Sequence, residues 1–112
     1  MVIPSRYIPQ AGDIAWLNFT PQTGHEQAGH RPALVLSPQT YNQKTGLMLC
    51  CPITTQIKNY PFEVLLAGDP ASVVLADQVK SLDWQSRKAK RKGKASPDEL
   101  AEVRAKILAL LE

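Results

Sequence analysis

Up to residue 95 the apolar positions of this chain fall in short runs of strand length, each closed by proline, glycine or a polar cluster. Asp13 to Phe19 carries Ile14, Trp16, Leu17 and Phe19 and predicts a first strand. Arg31 to Ser37, with the apolar stretch Ala33 to Leu36, predicts a second. The 11 residues Thr20 to His30 between them exceed the usual hairpin loop. Tyr41 to Gly46 reads as a turn, and Leu47 to Thr54 as a long strand interrupted or bulged at Pro52, because proline cannot donate to a ladder. Phe62 to Leu66, with Glu63 on its polar face, and Val73 to Val79, interrupted by Asp77 and Gln78, predict two more strands. Ala67-Gly68-Asp69-Pro70 turns the chain between them. Ser81 to Trp84 is expected to form a short helical turn.

The period then changes. Ser96-Pro97-Asp98-Glu99 is a capping box with proline at the first helical position. Leu100, Val103, Ile107, Leu110 and Leu111 follow at helical spacing, with charges on the other side. Residues 1–12, broken by Pro4, Pro9 and Gly12, read as an irregular lead-in. The expected fold is mostly β with a C-terminal α-helix, a small antiparallel barrel with a helical lid, in one domain over residues 1–112.

Composition adds two constraints. An apolar fraction of 44% and a charged fraction of 21% are those of a globular protein. No apolar run has the length of a membrane span or a signal peptide, so the expected location is cytoplasmic. Cys50 and Cys51 are adjacent, fit no zinc pattern, and as strand neighbours would point to opposite faces as buried thiols. Net charge is only +3, yet six of the eight residues from Arg87 to Lys94 are Lys or Arg. Such a run attracts phosphate, or it serves as an exposed edge strand whose lysines block edge pairing.

Candidate chemistry concentrates at residues 24–38. His25, Glu26, Gln27, His30 and Arg31 crowd between two glycine joints, Gly24 and Gly29, and the apolar strand that follows. They offer a possible base, a possible acid and a fixed cation, with Arg31 at the mouth of the strand. The alternative is a solvated polar turn. Thr54-Thr55-Gln56 places hydroxyls and an amide at another strand end, where such groups commonly cap a loop. The loop Ile57 to Pro61 adds Lys58 as an RNA-binding candidate. There is no P-loop, dinucleotide fingerprint, HExxH or paired CxxC, and the five-residue spacing of His25 and His30 does not suit one helical face, so neither metal nor cofactor is expected. Metal-free RNA cleavage fits this inventory: a base for the 2′-OH, a donor for the leaving oxygen, and cations or hydroxyls around the phosphorane.

Four collinear segments carry a resemblance. They are Gly24 to Pro38, Pro52-Ile53-Thr54-Thr55-Gln56, Tyr60-Pro61-Phe62-Glu63-Val64 and Leu75-Ala76-Asp77-Gln78-Val79-Lys80-Ser81. Together they resemble the MazF/PemK (Kid) family of toxin endoribonucleases. The resemblance implies an SH3-type barrel of the CcdB/PemK kind and a homodimer. It implies sequence-specific cleavage of single-stranded RNA to 2′,3′-cyclic phosphate and 5′-OH ends. It also implies a MazE-like antitoxin, with operator DNA bound only through the antitoxin complex. Arg31 and Thr54 match the family's catalytic arginine and threonine, and Glu26 an acidic residue needed for activity. His25, Gln27, His30, Asp77, Gln78 and Lys80 match positions lining or adjoining the RNA groove. The PemK branch has a further arginine where this chain has Leu75, so the chain sides with the MazF branch. The competing expectations are a nucleic-acid-binding barrel without chemistry and a gyrase-poisoning toxin like CcdB.

Overall fold

The computed structural model describes residues 6–19 and 29–112. The chain runs β1 (Asp13–Asn18), β2 (His30–Val35), α1 (Gln39–Thr45), β3 (Leu47–Thr54), β4 (Glu63–Leu66), β5 (Ser72–Leu75), β6 (Lys80–Asp83), β7 (Lys90–Lys94) and α2 (Pro97–Leu111). All strand pairs are antiparallel, in the order β4-β5-β3-β2-β1-β7, with β6 also on β3. The expected mostly-β antiparallel fold with a C-terminal helix is thus the one observed, its sheet curled as a half-barrel.

β3 holds the sheet together by changing partners along its length. Leu47 to Cys50 pair with β6, Cys50 to Pro52 with β2, and Ile53 and Thr54 with β5. The expected interruption at Pro52 takes this form: the strand continues unbroken, but Ala33↔Pro52 is its last pair with β2. Proline lacks the N–H that would extend that ladder.

Both faces of the sheet are apolar. Leu34, Cys51, Ile53, Val64, Val74 and Val103 of α2 form one buried cluster. Ala15, Leu17, Ala33, Val35, Met48, Cys50 and Trp84 form the other. The two cysteines therefore do point to opposite faces, both as buried free thiols. The basic run does form an edge strand, β7, exposed along most of its length.

Three elements differ from expectation. The turn at residues 41–46 is the end of helix α1, closed by Gly46 in the left-handed conformation (φ 73°). It escaped the apolar period because its one buried residue is polar, Asn42. Ser81 to Trp84 is not a helical turn: β6 is a strand, and the turn comes after it, where the Asp83 carboxylate accepts from the backbone of Gln85 and Ser86 (3.1 and 2.9 Å). The strand begun at Val73 stops at Leu75, and Asp77 and Gln78 lie in the turn that follows, with the Gln78 N–H donating to the Leu75 carbonyl (3.1 Å). Among the described residues no helix is long and apolar enough to cross a membrane.

The capping box on α2 is fully formed, and it reaches further than the helix. Ser96 Oγ accepts from the Glu99 N–H (3.1 Å), while the Glu99 carboxylate accepts from the backbone of Ser96 and of Ala67 (both 2.8 Å). These bonds, Ser96's first, hold the Glu99 carboxyl below its ordinary pKa. Its folded value lies below its unfolded one, so its contribution is present above the usual carboxylate range and is lost as pH falls through the folded value. Glu99→Gln is expected to cost about 1 kcal/mol at pH 7, a modest figure because the group is solvent-accessible. The deficit should shrink at pH 3. Urea midpoints of both proteins at the two pH values check this; an equal deficit at both would refute it.

Candidate active site

Arg31 and Thr54 are brought together by strand register. β2 and β3 pair as Ala33↔Pro52, Leu34↔Cys51 and Val35↔Cys50. Continuing that register two residues places Arg31 opposite Thr54, on the same face of the sheet. Here β3 has left β2 for β5, so the two strands part and a groove opens between them. The groove has a volume of about 670 Å³ and is lined by Arg31 and Thr54 together with Trp16, His30, Thr55, Gln56, Lys92 and the β4–β5 turn at Gly68, Asp69 and Pro70.

Each side chain is held in its own way. Arg31 Nε is buried and has no hydrogen-bond partner among the described residues. A buried donor on a cation is costly unless a partner satisfies it, which makes this atom a candidate donor to an anion. Thr54 Oγ1 accepts from the Gln56 N–H (3.1 Å), so the expected loop cap exists, and the hydroxyl proton stays available to donate. His30 is exposed and stacks with Trp16, their ring centroids 6.1 Å apart and planes 20° from parallel. Lys92 Nζ lies 4.7 Å from the centroid of the same indole.

Lys92 reaches that position through a bulge. Ile14 pairs with Gly93 but Ala15 with Arg91, which leaves Lys92 as the extra residue. Bulges re-aim side chains in this way. The two arginines of the basic run are otherwise engaged: Arg91 faces Asp13 (3.6 Å) and Arg87 donates to the Asn18 carbonyl (3.2 Å).

The other candidates lie apart from the groove. Asp77 accepts from the Tyr60 hydroxyl, a bond that is the main cause of that phenol's raised pKa. The backbone N–H of Lys58 donates to Glu63 (3.1 Å), and Lys80, on β6, pairs with Cys50 of β3. Gln78 sits in the turn between β5 and β6. Lys58, Asp77, Gln78 and Lys80 do not line the groove. His25, Glu26 and Gln27 fall outside the described residues. Trp16 and Lys92 were missed by sequence reasoning. Trp16 had a signal, since it alternates with buried Ala15 and Leu17 and so must face the other side. Lys92 was marked only as one of the six basic residues of the 87–94 run, because only the bulge separates it from the other lysines.

The arrangement suits binding of an anion flanked by a flat group. It offers no thiol chemistry: burial pushes both cysteines up to about 12. Among the described residues no three His, Cys, Asp or Glu side chains cluster as metal ligands would.

Residues 10–111 match the family model described as PemK-like, MazF-like toxin of type II toxin-antitoxin system. This chain belongs to that family. The toxin is 56% identical over 108 residues to the endoribonuclease toxin MazF of Escherichia coli K12, covering 96% of this chain and 97% of that protein. It is 42% identical over 111 residues to the endoribonuclease toxin ChpB of the same strain, covering 92% and 94%. Its fold superposes on a crystal structure of MazF from Deinococcus radiodurans with a TM-score of 0.86, at 57% identity over 95% of this chain and 98% of that one. A MazE-MazF crystal structure from the same organism gives 0.87, at 57% identity over 95% and 97%. The toxin is accordingly an endoribonuclease of a type II toxin–antitoxin system.

Proposed function

We propose that this endoribonuclease toxin cuts single-stranded messenger RNA at a short sequence, without a metal ion, and so arrests translation and growth. The 2′-oxygen attacks the adjacent phosphorus as the bond from phosphorus to the 5′-oxygen breaks. The 2′-OH proton passes to a base, and a proton is delivered to the departing 5′-oxygen. The products are a 2′,3′-cyclic phosphate and a 5′-OH.

The observation that carries this reading is the shared groove of Arg31 and Thr54, with Arg31 Nε buried and unpartnered among the described residues. A guanidinium holds its proton too tightly to be a good base. Arg31 therefore stabilises the phosphorane charge or assists the leaving oxygen, and Thr54 donates to a phosphate oxygen. Glu26, or a histidine beside it, takes the 2′-OH proton. His25, Gln27, His30, Lys58, Asp77, Gln78 and Lys80 bind the RNA strand as it extends from this point.

The relatives solved as MazE-MazF complexes support an antitoxin partner for this toxin too. An acidic tail lying in the groove would inhibit by occupying it. The working unit is a cytoplasmic homodimer, and operator DNA is reached through the antitoxin complex. Incubating the pure toxin with a defined single-stranded RNA in EDTA should give discrete fragments whose ends map to one short sequence, with a cyclic phosphate on the 3′ end of the upstream fragment. Retention of intact RNA with no cleavage would assign the groove to binding alone.

A further inference from the structure

We propose that Trp16 and His30 form a stacking platform for the nucleobase beside the scissile phosphate, with Lys92 as a mobile cover that moves onto the RNA backbone when the base arrives. The inference rests on the RNA-cleaving reading of the same groove and assigns it a binding residue, Trp16, and a backbone ligand, Lys92.

The placement argues for it. Trp16 is half-buried on β1 directly opposite Pro32, so the two are cross-strand neighbours on one face of the sheet. His30 precedes Arg31 on β2, and although neighbouring strand side chains alternate in direction, both line the one groove with Trp16 and Thr54. A base seated on these rings therefore lies in the same groove as a phosphate at Arg31. Stacking on aromatic faces is how unpaired bases are held, and it tolerates any base.

Lys92 covers part of the half-buried indole in the open groove before RNA binds. Its ammonium lies against the ring, an interaction worth little where solvent reaches it. An arriving nucleotide offers the ring a base and the ammonium a phosphate, so both partners exchange for better ones. The bulge that frees Lys92 from the β1–β7 ladder leaves its side chain able to make that move.

The test uses the full chain and an uncleavable substrate analogue with 2′-deoxyribose at the cut site. The chain has two tryptophans, and Trp84 is 4% exposed with its indole N–H donating to the Asn42 carbonyl (2.9 Å), so Trp16 is the one an incoming base can quench. Wild-type fluorescence should fall on titration, and Trp16→Phe should abolish that change. In steady state Trp16→Leu should raise KM about tenfold or more with kcat within about threefold. An abasic residue beside the cut should produce the same KM rise in wild type and no further rise in Trp16→Leu. Lys92→Gln should reduce the slope of log affinity against log salt by about 0.7.

The platform is refuted if Trp16→Leu and wild type share one KM, or if the abasic and Trp16→Leu losses add in full. Absence of any RNA binding or cleavage by wild type would instead defeat the functional reading on which this rests. If Trp16→Leu does not fold by circular dichroism, the quenching of wild type and the abasic series still decide the matter.

Discussion

Arg31→Lys is expected to lower the rate of RNA cleavage about 10²- to 10³-fold, nearly as much as Arg31→Ala. The two variants separate charge from geometry. Lysine keeps a cation in the groove but lacks the planar fork whose Nε is buried and unpartnered here among the described residues. An ammonium is a point charge that retains its own water and cannot hold two phosphate oxygens at once. If Arg31 served only to attract RNA, Arg31→Lys would raise KM slightly and leave kcat alone. If it stabilises charge that develops on the phosphorane, kcat falls and KM moves little. Single-turnover cleavage of one defined RNA at saturating toxin measures the step directly. A lysine variant within threefold of wild type would place the phosphorane contact elsewhere. Thr54→Ala gives the companion measurement with a smaller loss, because one neutral donor is removed.

How much of this site was legible beforehand depends on the kind of signal each residue carried. Arg31 stood at the junction of a polar loop and an apolar run, and that junction is the start of β2. Thr54 stood at the end of an apolar run, which is the end of β3. Local pattern located both ends. That they face one another is a matter of register, and register depends on pairings between distant segments that periodicity does not encode. The same limit hid Lys92, whose position follows from one extra residue in the β1–β7 ladder.

The misread elements share a cause as well. α1 carries no apolar stripe, so nothing in its spacing announced a helix, although Gly46 supplied an ordinary C-terminal stop. β6 is four residues long with one half-buried position, Leu82, too short for alternation to be seen. α2, by contrast, carries its cap, its proline and its apolar period together, and it runs from Pro97 as expected. Elements whose signals agree with one another were readable, and those held mainly by tertiary contacts were not.

The largest stability loss is expected away from the groove, at Asn42. This residue is fully buried at the centre of α1. Its Nδ2 donates to the carbonyls of Pro9 (2.8 Å) and Ser37 (3.1 Å), and its Oδ1 accepts from the Ser37 hydroxyl (2.6 Å). Ser37 Oγ in turn accepts from the Leu49 N–H (2.8 Å), and the Asn42 carbonyl accepts from the Trp84 indole (2.9 Å). One amide thus ties the lead-in, the end of β2 and α1 together, and through Ser37 it reaches β3. Asn42→Leu keeps the volume and strands two carbonyls and a hydroxyl in an apolar site. Each orphaned group costs about 1–3 kcal/mol, so a total of roughly 3 kcal/mol or more is expected. Ser37→Ala removes only the hydroxyl and orphans the Leu49 N–H, for about 1–2 kcal/mol. The double variant should cost less than the sum, since both changes break the same Ser37–Asn42 bond. Urea unfolding of the four proteins measures the cycle. Additive losses would show that Asn42 and Ser37 act separately. Cleavage per folded molecule should stay near wild type in Asn42→Leu, because Ser37 lies beyond the end of β2 opposite to Arg31.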